Sequence, residues 1–525
     1  MQFPSQNLYS ALRAAFPADL DQTAVYASAC DGRPLNYSWR DLDRASACIA
    51  NLLLSLDLPE GSRVAVQVEK SVEALLLYLA TLRCGFIFLP LNTAYQQAEI
   101  DYFIGDATPA VVVCTPEHFG WVSKIAFKAG TRHVFTLGQE RNGSLLERAA
   151  HCSDAHTPVR RTKDDLACIL YTSGTTGRSK GAMLTHGNLL SNALVLKDYW
   201  SWRTPEQGGD VLIHALPIYH AHGLFVGVHG ALINGSPMIW FNRFDARAVI
   251  AAMPRASVFM GVPTLYVRML AEPALTREAA AHMRLFISGS APLLVDTFAA
   301  WQQRTGHTIL ERYGMSETVM LCSNPYARDA RHGGQGERRG GTVGFPLPGV
   351  ELRVVDDAGA ALPAGEIGAI QVRGPNVFKG YWQMPEKTAQ EFAEGGWFKT
   401  GDVGQQDARG YVTIVGRSKD LIISGGFNVY PAEVESFINE LPGVMESAVV
   451  GVPHADFGEV GVAVVVPRAG ARPDAEAIVK KLREQLAHFK VPKRCFIAPA
   501  LPRNSMGKVQ KNLLREQYRD LFLKK

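Results

Sequence analysis

Tyr171-Thr-Ser-Gly-Thr-Thr-Gly-Arg-Ser-Lys-Gly181 follows directly on the apolar run Leu166-Ala-Cys-Ile-Leu170. This order predicts a buried strand that opens into a loop of glycines, hydroxyl groups and two cations. Glycine lets backbone N–H groups approach an anion closely, and successive N–H groups form anion-binding concavities. Hydroxyl groups can bond phosphate oxygens or a metal ion, while Arg178 and Lys180 supply positive charge. The stretch therefore predicts a phosphate cradle.

The spacing within this loop separates it from a different class of phosphate-binding loop. A Walker A sequence requires G-x-x-x-x-G-K-[ST], whereas two residues stand between Gly177 and Lys180 and a glycine follows the lysine. The phosphate interpretation therefore does not imply a P-loop NTPase fold. A solvated Ser/Gly/Thr loop is the alternative reading of the same composition.

The composition is typical of a globular enzyme with more than one domain. A chain of 525 residues is too long for one compact core, and 47% hydrophobic with 20% charged residues fits a soluble enzyme. The formal net charge of +4 argues against a dedicated nucleic-acid binder. The 8 cysteines form no C-x-x-C pair, which favours reduced thiols over a zinc site.

The same survey bears on location and assembly. No apolar run reaches about 18 residues, so we expect no membrane span. The first residues lack a charged and then apolar signal pattern, so we expect a cytoplasmic protein, with the mitochondrial matrix as the alternative. A monomer or a weak homo-oligomer is the expected assembly.

Apolar strand-like runs alternate with helical patterns through the first two-thirds of the chain. Ser71 is placed to cap the helix that follows it, through Leu82. This alternation predicts an α/β fold with largely parallel sheets. The runs with a strand pattern are Arg63–Glu69, Gly85–Pro90, Pro109–Cys114, Asp210–Leu216, Pro237–Phe241 and Met283–Ser288.

The last third of the chain changes character. A stretch rich in Gly, Arg and Pro, from Ser323 to Pro348, predicts a loop. The final part, of about 110 residues, is large enough to fold alone, and its pattern predicts the order β–α–β–β–α. We therefore expect an N-terminal domain over 1–416 and a C-terminal domain over 417–525. The predicted elements are strands Val350–Val355, Gly368–Arg373, Leu421–Ile423, Ser447–Val450 and Val462–Val466, and helices from Pro431 and around Ala475–Gln485.

Several further motifs carry groups suited to a nucleotide. Tyr313 offers a ring for adenine, and Glu317 is an oxygen ligand of the kind Mg²⁺ prefers. Asp402, after a glycine, suits the two ribose hydroxyls, and Arg417 could reach ribose or phosphate. Lys508 lies on a glycine-containing hinge. Taken singly, each could be a core ring, a turn carboxylate or a solvated lysine.

Taken together, these motifs resemble a known family. The order YTSGTTGRSKGAML, SGSAPL, ERYGMSE, KTGD, GRSKD and PRNSMGK resembles the acyl-adenylate-forming superfamily of acyl-CoA synthetases, adenylation domains and firefly luciferase. HALPIYHAHGLF, MGVPT, GPNVFKGYWQMPEKT and GGFNVYP resemble malonyl-CoA synthetases. The resemblance implies a large N-terminal domain with two mixed, mainly parallel sheets plus a β-rich subdomain, and a small mobile α+β C-terminal domain.

The resemblance implies ATP, Mg²⁺ and coenzyme A as ligands, and it assigns roles residue by residue. Glu317 and Thr172 would bind Mg²⁺, and Asp402 with Arg417 would hold the ribose. The phosphates would be held by Thr172, Ser173, Gly174, Thr175, Thr176, Gly177, Arg178, Ser179 and Lys180. Adenine would lie between Ser288, Gly289, Ser290, Ala291, Pro292, Tyr313 and Gly314.

The same resemblance implies two catalytic steps with a domain rotation between them. Lys508 would bridge the carboxylate and the α-phosphate in the first step. Lys419 occupies the hinge position, and rotation about it would bring Gly425 and Gly426 to the coenzyme A tunnel. A lysine acetyltransferase is an implied partner, because acetylation of Lys508 would remove the needed charge.

Substrate choice depends on a cation in the acyl pocket. Many relatives that use aryl or fatty acids have a small residue at the position of Arg312. A buried guanidinium is costly unless the substrate brings an anion, and a dicarboxylic acid brings one. We therefore predict malonate, with some use of methylmalonate. The other expected pocket residues are Arg268, His220, His222 and, more weakly, Arg284, with His220 also a catalytic candidate.

Other functions share part of this pattern. An acyl-CoA ligase for another short acid, or a luciferase-like oxygenase, would use the same adenylation site. An amino-acid adenylation enzyme would need an anion where His220 and His222 stand. A non-catalytic nucleotide binder would not need Lys508, Glu317 and Asp402 together.

Overall fold

The structure is a computed structural model that describes residues 6–29, 32–172, 179–327, 336–424, 427–454, 457–486, 488–504 and 507–522. The strands up to the predicted domain boundary are β1 Thr23–Ser28, β2 Pro34–Ser38, β3 Arg63–Gln67, β4 Ile87–Pro90, β5 Val111–Cys114, β6 His133–Thr136, β7 Leu166–Thr172, β8 Lys180–Thr185, β9 Leu212–His214, β10 Met238–Trp240, β11 Val258–Gly261, β12 Leu285–Ser288, β13 Ile309–Met315, β14 Val319–Ser323, β15 Phe345–Pro346, β16 Glu351–Val355, β17 Gly368–Arg373, β18 Phe392–Ala393, β19 Trp397–Gln406 and β20 Val412–Arg417.

Helices alternate with these strands. They are α1 Leu8–Ala14, α2 Trp39–Leu54, α3 Val72–Arg83, α4 Gln97–Ala107, α5 Phe119–Lys128, α6 Ser144–Ala149, α7 His186–Tyr199, α8 His229–Leu232, α9 Ala246–Ala252, α10 Pro263–Leu270, α11 Val295–Thr305 and α12 Pro385–Glu391. A π-helix, His222–Val228, precedes α8. No helix in the part of the chain that the structure describes combines the length and the apolarity of a membrane span.

Two mixed, mainly parallel sheets form the main body, as predicted. The nine-stranded sheet has the order β15-β14-β13-β12-β11-β9-β10-β1-β2, and the six-stranded sheet has the order β6-β5-β3-β4-β7-β8. Antiparallel pairing in them is confined to β1/β2, β13/β14, β14/β15 and β7/β8. A third, antiparallel sheet of β16 to β20 is the predicted β-rich subdomain.

Helix α3 shows why the sequence folds into these layers. The Ser71 side chain accepts a hydrogen bond from the Ala74 N–H and caps the helix, as predicted. Every residue of α3 is buried, which suits a mainly apolar helix enclosed by neighbouring elements, and its two charged residues, Glu73 and Arg83, are paired with Arg141 and Asp43. Its side chains join the largest apolar cluster, which also takes in residues of both mixed sheets.

The C-terminal part is a smaller α+β unit with two apolar clusters of its own. Its elements are β21 Ile422–Ser424, β22 Phe427–Val429, α13 Pro431–Asn439, β23 Val444–His454, β24 Gly458–Pro467, α14 Ala475–Gln485, β25 Arg494–Ile497 and α15 Lys511–Tyr518. Strands β22 and β25 and helix α15 were not predicted. Each is short, and α15 buries only Leu514, so none carries a strong apolar period. The boundary at residue 416 stays a prediction, and β20 crosses it by one residue.

Candidate active site

The stem of the predicted phosphate loop is an antiparallel pair of strands. Thr172, the last residue of β7, pairs with Lys180, the first residue of β8, and its Oγ1 donates to the Lys180 carbonyl at 3.4 Å. Tyr102 donates to the Ser179 carbonyl at 2.7 Å and fixes the base of the loop from α4. The loop residues predicted from Ser173 to Arg178 lie outside the described residues, as do Gly425 and Gly426.

Lys180 and Glu317 are connected through a tyrosine that sequence reasoning missed. The Lys180 Nζ lies 4.2 Å from the centre of the Tyr381 ring, and the Tyr381 hydroxyl donates to Glu317 Oε1 at 3.0 Å. Glu317 is 6% exposed, and burial raises the pKa of its carboxyl. A carboxylate oxygen and a hydroxyl such as that of Thr172 are ligands of the kind Mg²⁺ prefers, and a divalent cation would favour the ionised carboxylate. These residues therefore fit the predicted metal.

Tyr313, Asp402 and Arg417 form one buried polar group. The Tyr313 hydroxyl donates to Asp402 Oδ2, and Arg417 Nε donates to Asp402 Oδ1 at 2.6 Å. Burial raises the pKa of Asp402, although Arg417 and Tyr313 oppose that shift. Despite its own desolvation, Arg417 has a raised pKa because Asp402 favours its charged form. The structure thus brings together three residues that were predicted separately for adenine and ribose.

The C-terminal part brings Lys508 to this group. Neighbouring Gly507 has φ +73° and lies against α10, where a Cβ would stand 3.2 Å from Thr264 Oγ1. Lys508 is exposed at this junction and interacts electrostatically with Arg417 and Asp402. Partial desolvation, and then Arg417, lower its pKa. The lysine therefore lies beside the predicted nucleotide site in the arrangement that the structure holds.

The predicted hinge residue, Lys419, has a lowered pKa. Lys419 is exposed in a short 3₁₀ turn, Ser418–Asp420, and its pKa falls to about 8 through desolvation and then the nearby cations Arg417 and Lys508. The carboxylate of Asp420 pairs with Arg515 on α15 and ties the turn to the C-terminal part.

The adenine segment after β12 is strained and open. Ser290 has φ 71°, an unusual value for a residue other than glycine, and is exposed, as is Pro292. Ser288 is buried, and its hydroxyl has no hydrogen-bond partner among the described residues. The Leu293 N–H donates to Glu311 Oε1 at 3.0 Å, which holds the end of the segment. Nearby Gly314 has no room for a Cβ because the Val319 carbonyl of β14 packs against it.

Arg312 is the most unusual group of the site. It lies on β13, is 3% exposed, and desolvation lowers its pKa to about 9. Neither Nε nor Nη2 has a hydrogen-bond partner among the described residues. It lies against Gly289 and close to His222 and Tyr266, with which it interacts electrostatically. Tyr266 was missed because nothing in its spacing separates it from a core ring.

Two of the predicted pocket histidines join this region. His222 is 3% exposed, and its Nδ1 lies 3.2 Å from the Ser290 hydroxyl. Burial, and then the Arg312 charge, lower its pKa well below the usual value, and burial lowers that of His220 to about 4. Both rings are therefore neutral near pH 7, and the Nε2 atom of each lacks a partner in the described part of the chain. They add no further positive charge to the pocket.

The other two predicted cations each contact a side chain outside the predicted site. Arg284 precedes β12, at the opposite end of that strand from Ser288, and makes a two-pronged ion pair with buried Asp210. A buried carboxylate therefore already holds Arg284, and its weaker assignment to the acyl pocket stays a prediction. Arg268 is exposed on α10 with its guanidinium 4.9 Å from the Phe244 ring, and its pocket role stays a prediction.

This fold and this set of side chains define an AMP-forming adenylating enzyme, and comparisons with known proteins agree. The chain belongs to the AMP-binding enzyme family, whose model matches residues 13–382, while the AMP-binding enzyme C-terminal domain matches residues 433–508. It is an acyl-CoA ligase of the AMP-forming type, which uses ATP, Mg²⁺ and coenzyme A.

Relatives cover nearly the whole chain. A malonate–CoA ligase of Arabidopsis thaliana is 32% identical over 559 residues, covering 98% of this chain and 89% of that protein. A feruloyl-CoA synthase of an Amycolatopsis species is 36% identical over 492 residues, covering 93% and 94%. Among solved structures, ATP-bound MatB from Rhodopseudomonas palustris is 53% identical with a TM-score of 0.93, covering 99% of this chain and 100% of that one.

Proposed function

We propose that this ligase joins malonate to coenzyme A through malonyl-AMP. The observation that carries the proposal is the buried guanidinium of Arg312 with two N–H groups unpaired among the described residues. Nε and Nη2 lie on one edge of the guanidinium, the edge that a carboxylate binds with two parallel hydrogen bonds. A monocarboxylic acid would leave this charge unpaired after its only carboxylate had reacted, whereas malonate supplies a second carboxylate.

The surroundings of Arg312 favour a short acid. His222 and Tyr266 lie close to the cation and His220 lies close to His222, and we infer that these rings leave little room for a long chain. Methylmalonate differs from malonate by one methyl group, and a pocket discriminates one such group by about 10–200-fold. We therefore include methylmalonate as a second, poorer substrate.

In the first step a malonate oxygen attacks the α-phosphorus of ATP. An O–P bond forms, the bond to the bridging oxygen breaks, and pyrophosphate leaves. Lys508 would stabilise the charge shared by the attacking carboxylate and the α-phosphate. Asp402 would accept hydrogen bonds from the ribose hydroxyls, with Arg417 and Tyr313 holding its oxygens. Glu317 and Thr172 would hold Mg²⁺, which when bound neutralises phosphate charge.

In the second step the thiolate of coenzyme A attacks the acyl carbon. A C–S bond forms, the C–O bond to phosphate breaks, and AMP leaves with the electron pair. We propose that the C-terminal part turns about Lys419 between the steps, because Lys508 is needed only for the first. Since Lys508 is exposed, it is also the proposed target of an acetyltransferase, and the protein is proposed to act in the cytoplasm.

The test of substrate choice uses variants at one position. Arg312→Gly should lose malonate-dependent AMP formation by at least about 100-fold, the scale of a lost buried charge pair, while use of butyrate does not fall. Arg312→Lys keeps the charge but cannot donate two parallel hydrogen bonds. Its malonate-dependent AMP formation should therefore lie between those of the unchanged enzyme and Arg312→Gly. Unchanged malonate efficiency in Arg312→Gly would contradict the proposal.

A wider assay separates the competing functions. The enzyme is incubated with ATP, Mg²⁺ and a panel of acids, with and without coenzyme A, and products are resolved by mass. Malonyl-CoA with AMP is the expected product. If another acyl-CoA forms in preference to malonyl-CoA, the natural substrate is a different short acid. Oxygen consumption or light without coenzyme A would favour a luciferase-like oxygenase.

A further inference from the structure

A carboxylate that no predicted role uses holds the phosphate-loop lysine. Glu391 is the last residue of α12. Its Oε1 forms ion pairs with both Lys180 Nζ, at 3.3 Å, and Lys387 Nζ, at 3.1 Å. The Lys180 and Glu391 side chains are only 19% and 23% exposed, whereas that of Lys387 is 40% exposed. One carboxylate is therefore shared between an inner and an outer lysine.

The backbone fixes this carboxylate relative to the phosphate loop. The Trp382 N–H donates to the Gly181 carbonyl at 2.7 Å, and the Met183 N–H donates to the Gly380 carbonyl at 2.9 Å. The segment that leads into α12 is thus bonded along β8, the strand that begins at Lys180. The Lys180–Glu391 pair is consequently part of the construction of the site and differs from an ion pair between two free surface side chains.

Successive contacts connect the pair to Glu317. Lys180 lies between Glu391 and the face of the Tyr381 ring, whose hydroxyl donates to Glu317. Burial opposes ionisation of Glu391, but Lys387 and Lys180 outweigh it and lower its pKa. A polyphosphate arriving at Lys180 would compete with Glu391 for the same ammonium and would also repel its carboxylate.

We propose that Glu391 is a positioning residue that holds Lys180 in the nucleotide-free enzyme and yields it to the terminal phosphates of ATP. Lys387 keeps the carboxylate paired after this exchange. The inference rests on the proposed binding of the β- and γ-phosphates by Lys180. It implies that Glu391 weakens the binding of ATP and pyrophosphate but not of AMP, which lacks those phosphates.

Calorimetric titration of the whole enzyme tests the exchange, with MgATP, magnesium pyrophosphate and AMP each added without acid or coenzyme A. Glu391→Gln keeps an acceptor oxygen but removes the charge, so ATP and pyrophosphate should bind about fivefold more tightly, the scale of one partly solvated ion pair. Lys387→Gln should have the opposite effect, because Glu391 then relies on Lys180 alone. AMP affinity should not change in either variant.

Glu386→Gln is the matched control, since Glu386 is exposed on the same helix and carries the same charge. Equal changes for ATP and AMP, or an effect no larger than that of Glu386→Gln, would overturn the inference. Weaker ATP binding in Glu391→Gln would do so too. The titrations contain no acid, so they are independent of the malonate assay. Failure of the exchange with malonyl-CoA still formed would leave the proposed function intact.

Discussion

Gly289 and Arg312 lie so close together that a Cβ on Gly289 would stand 2.5 Å from the guanidinium carbon of Arg312. The guanidinium therefore lies against bare backbone at the end of β12. Only a residue without a side chain permits this approach, which is the second reason, beside any contact with adenine, for a glycine here. The predicted adenine segment and the predicted acyl cation are thus in direct contact.

Gly289→Ala should displace Arg312 without unfolding the protein. The end of an arginine side chain can move, whereas the strand beneath it cannot, so the new methyl group shifts the guanidinium. We expect the KM for malonate to rise by at least about tenfold, as for about 1.4 kcal/mol of lost pairing, with a smaller change in the KM for ATP. Steady-state kinetics with each substrate varied in turn measure the difference.

Gly105→Ala supplies the control for this substitution, because a Cβ there meets nothing within 4 Å. It should leave both KM values unchanged. A larger effect of Gly289→Ala on ATP than on malonate would show that the glycine serves the nucleotide alone.

Tyr313→Phe should separate the ring of this tyrosine from its hydroxyl. The ring remains for adenine, but Asp402 loses a hydrogen bond that favours its ionised form, so its pKa rises further. We expect kcat/KM for ATP to fall by about tenfold. In the pH profile of kcat/KM, the acid limb should move to higher pH. A pH profile that falls uniformly without shifting would contradict this account. Exposed Tyr26→Phe is the control.

Gly507→Ala tests the docking of the Lys508 segment. Gly507 and Gly470 both have positive φ, +73° and +79°, but only Gly507 has a neighbour from α10 within 4 Å. An added methyl group strains either site by about 1 kcal/mol. Only Gly507→Ala should slow malonyl-AMP formation, while transfer from preformed malonyl-AMP to coenzyme A stays unchanged. Equal slowing in Gly470→Ala would attribute the effect to backbone strain in general.

His186 should make stability depend on pH. It is fully buried, its Nδ1 accepts a hydrogen bond from the Leu8 N–H at 3.0 Å, and burial lowers its pKa to about 4. The unfolded chain, with a pKa near 6.5, binds a proton between about pH 4 and 6.5 that the folded protein does not. Stability from this group is therefore complete above about pH 6.5 and falls as the pH falls through that window.

His186→Asn keeps a side-chain acceptor but cannot take up the proton. The pH dependence of the unfolding free energy should therefore decrease by up to about 1.4 kcal/mol per pH unit between pH 4.5 and 6.5. Denaturant unfolding at several pH values measures that slope, which is independent of any constant loss of stability. Exposed His151→Asn should leave the slope as it is. An unchanged slope in His186→Asn would contradict the assignment.

Much of the fold was accessible from local patterns. The run Leu166–Leu170 predicted β7, which extends to Thr172, Ser71 predicted the start of α3, and Ala475–Gln485 matched α14 to the residue. These elements have clear apolar periods or caps. Strand β22 and helix α15 escaped prediction because a short pairing or a mostly polar helix is stabilised by its neighbours and leaves little trace in its own residues.

Some residues of the site could be found from local motifs, whereas others are connected to it only by the tertiary structure. Tyr313, Asp402 and Arg417 stood out through the chemistry of their motifs, and the structure joins them in one polar group. Glu391 and Tyr381 follow Lys180 by about 200 positions, and no spacing rule connects them to it. The pairing of Arg284 with Asp210 was not foreseen, because an arginine near a pocket motif looks the same in sequence whether or not a distant carboxylate holds it.

The sequence by itself predicted that this chain holds a nucleotide, because its glycines, hydroxyl groups and charges stand in a local order suited to a phosphate cradle. It also determined the α/β architecture through alternating apolar periods. Only the tertiary structure decided that Arg312 is buried with two N–H groups unpaired among the described residues, and that Lys508 lies within electrostatic range of Asp402. Burial and long-range pairing depend on which distant surfaces meet, and a local stretch of sequence does not record that.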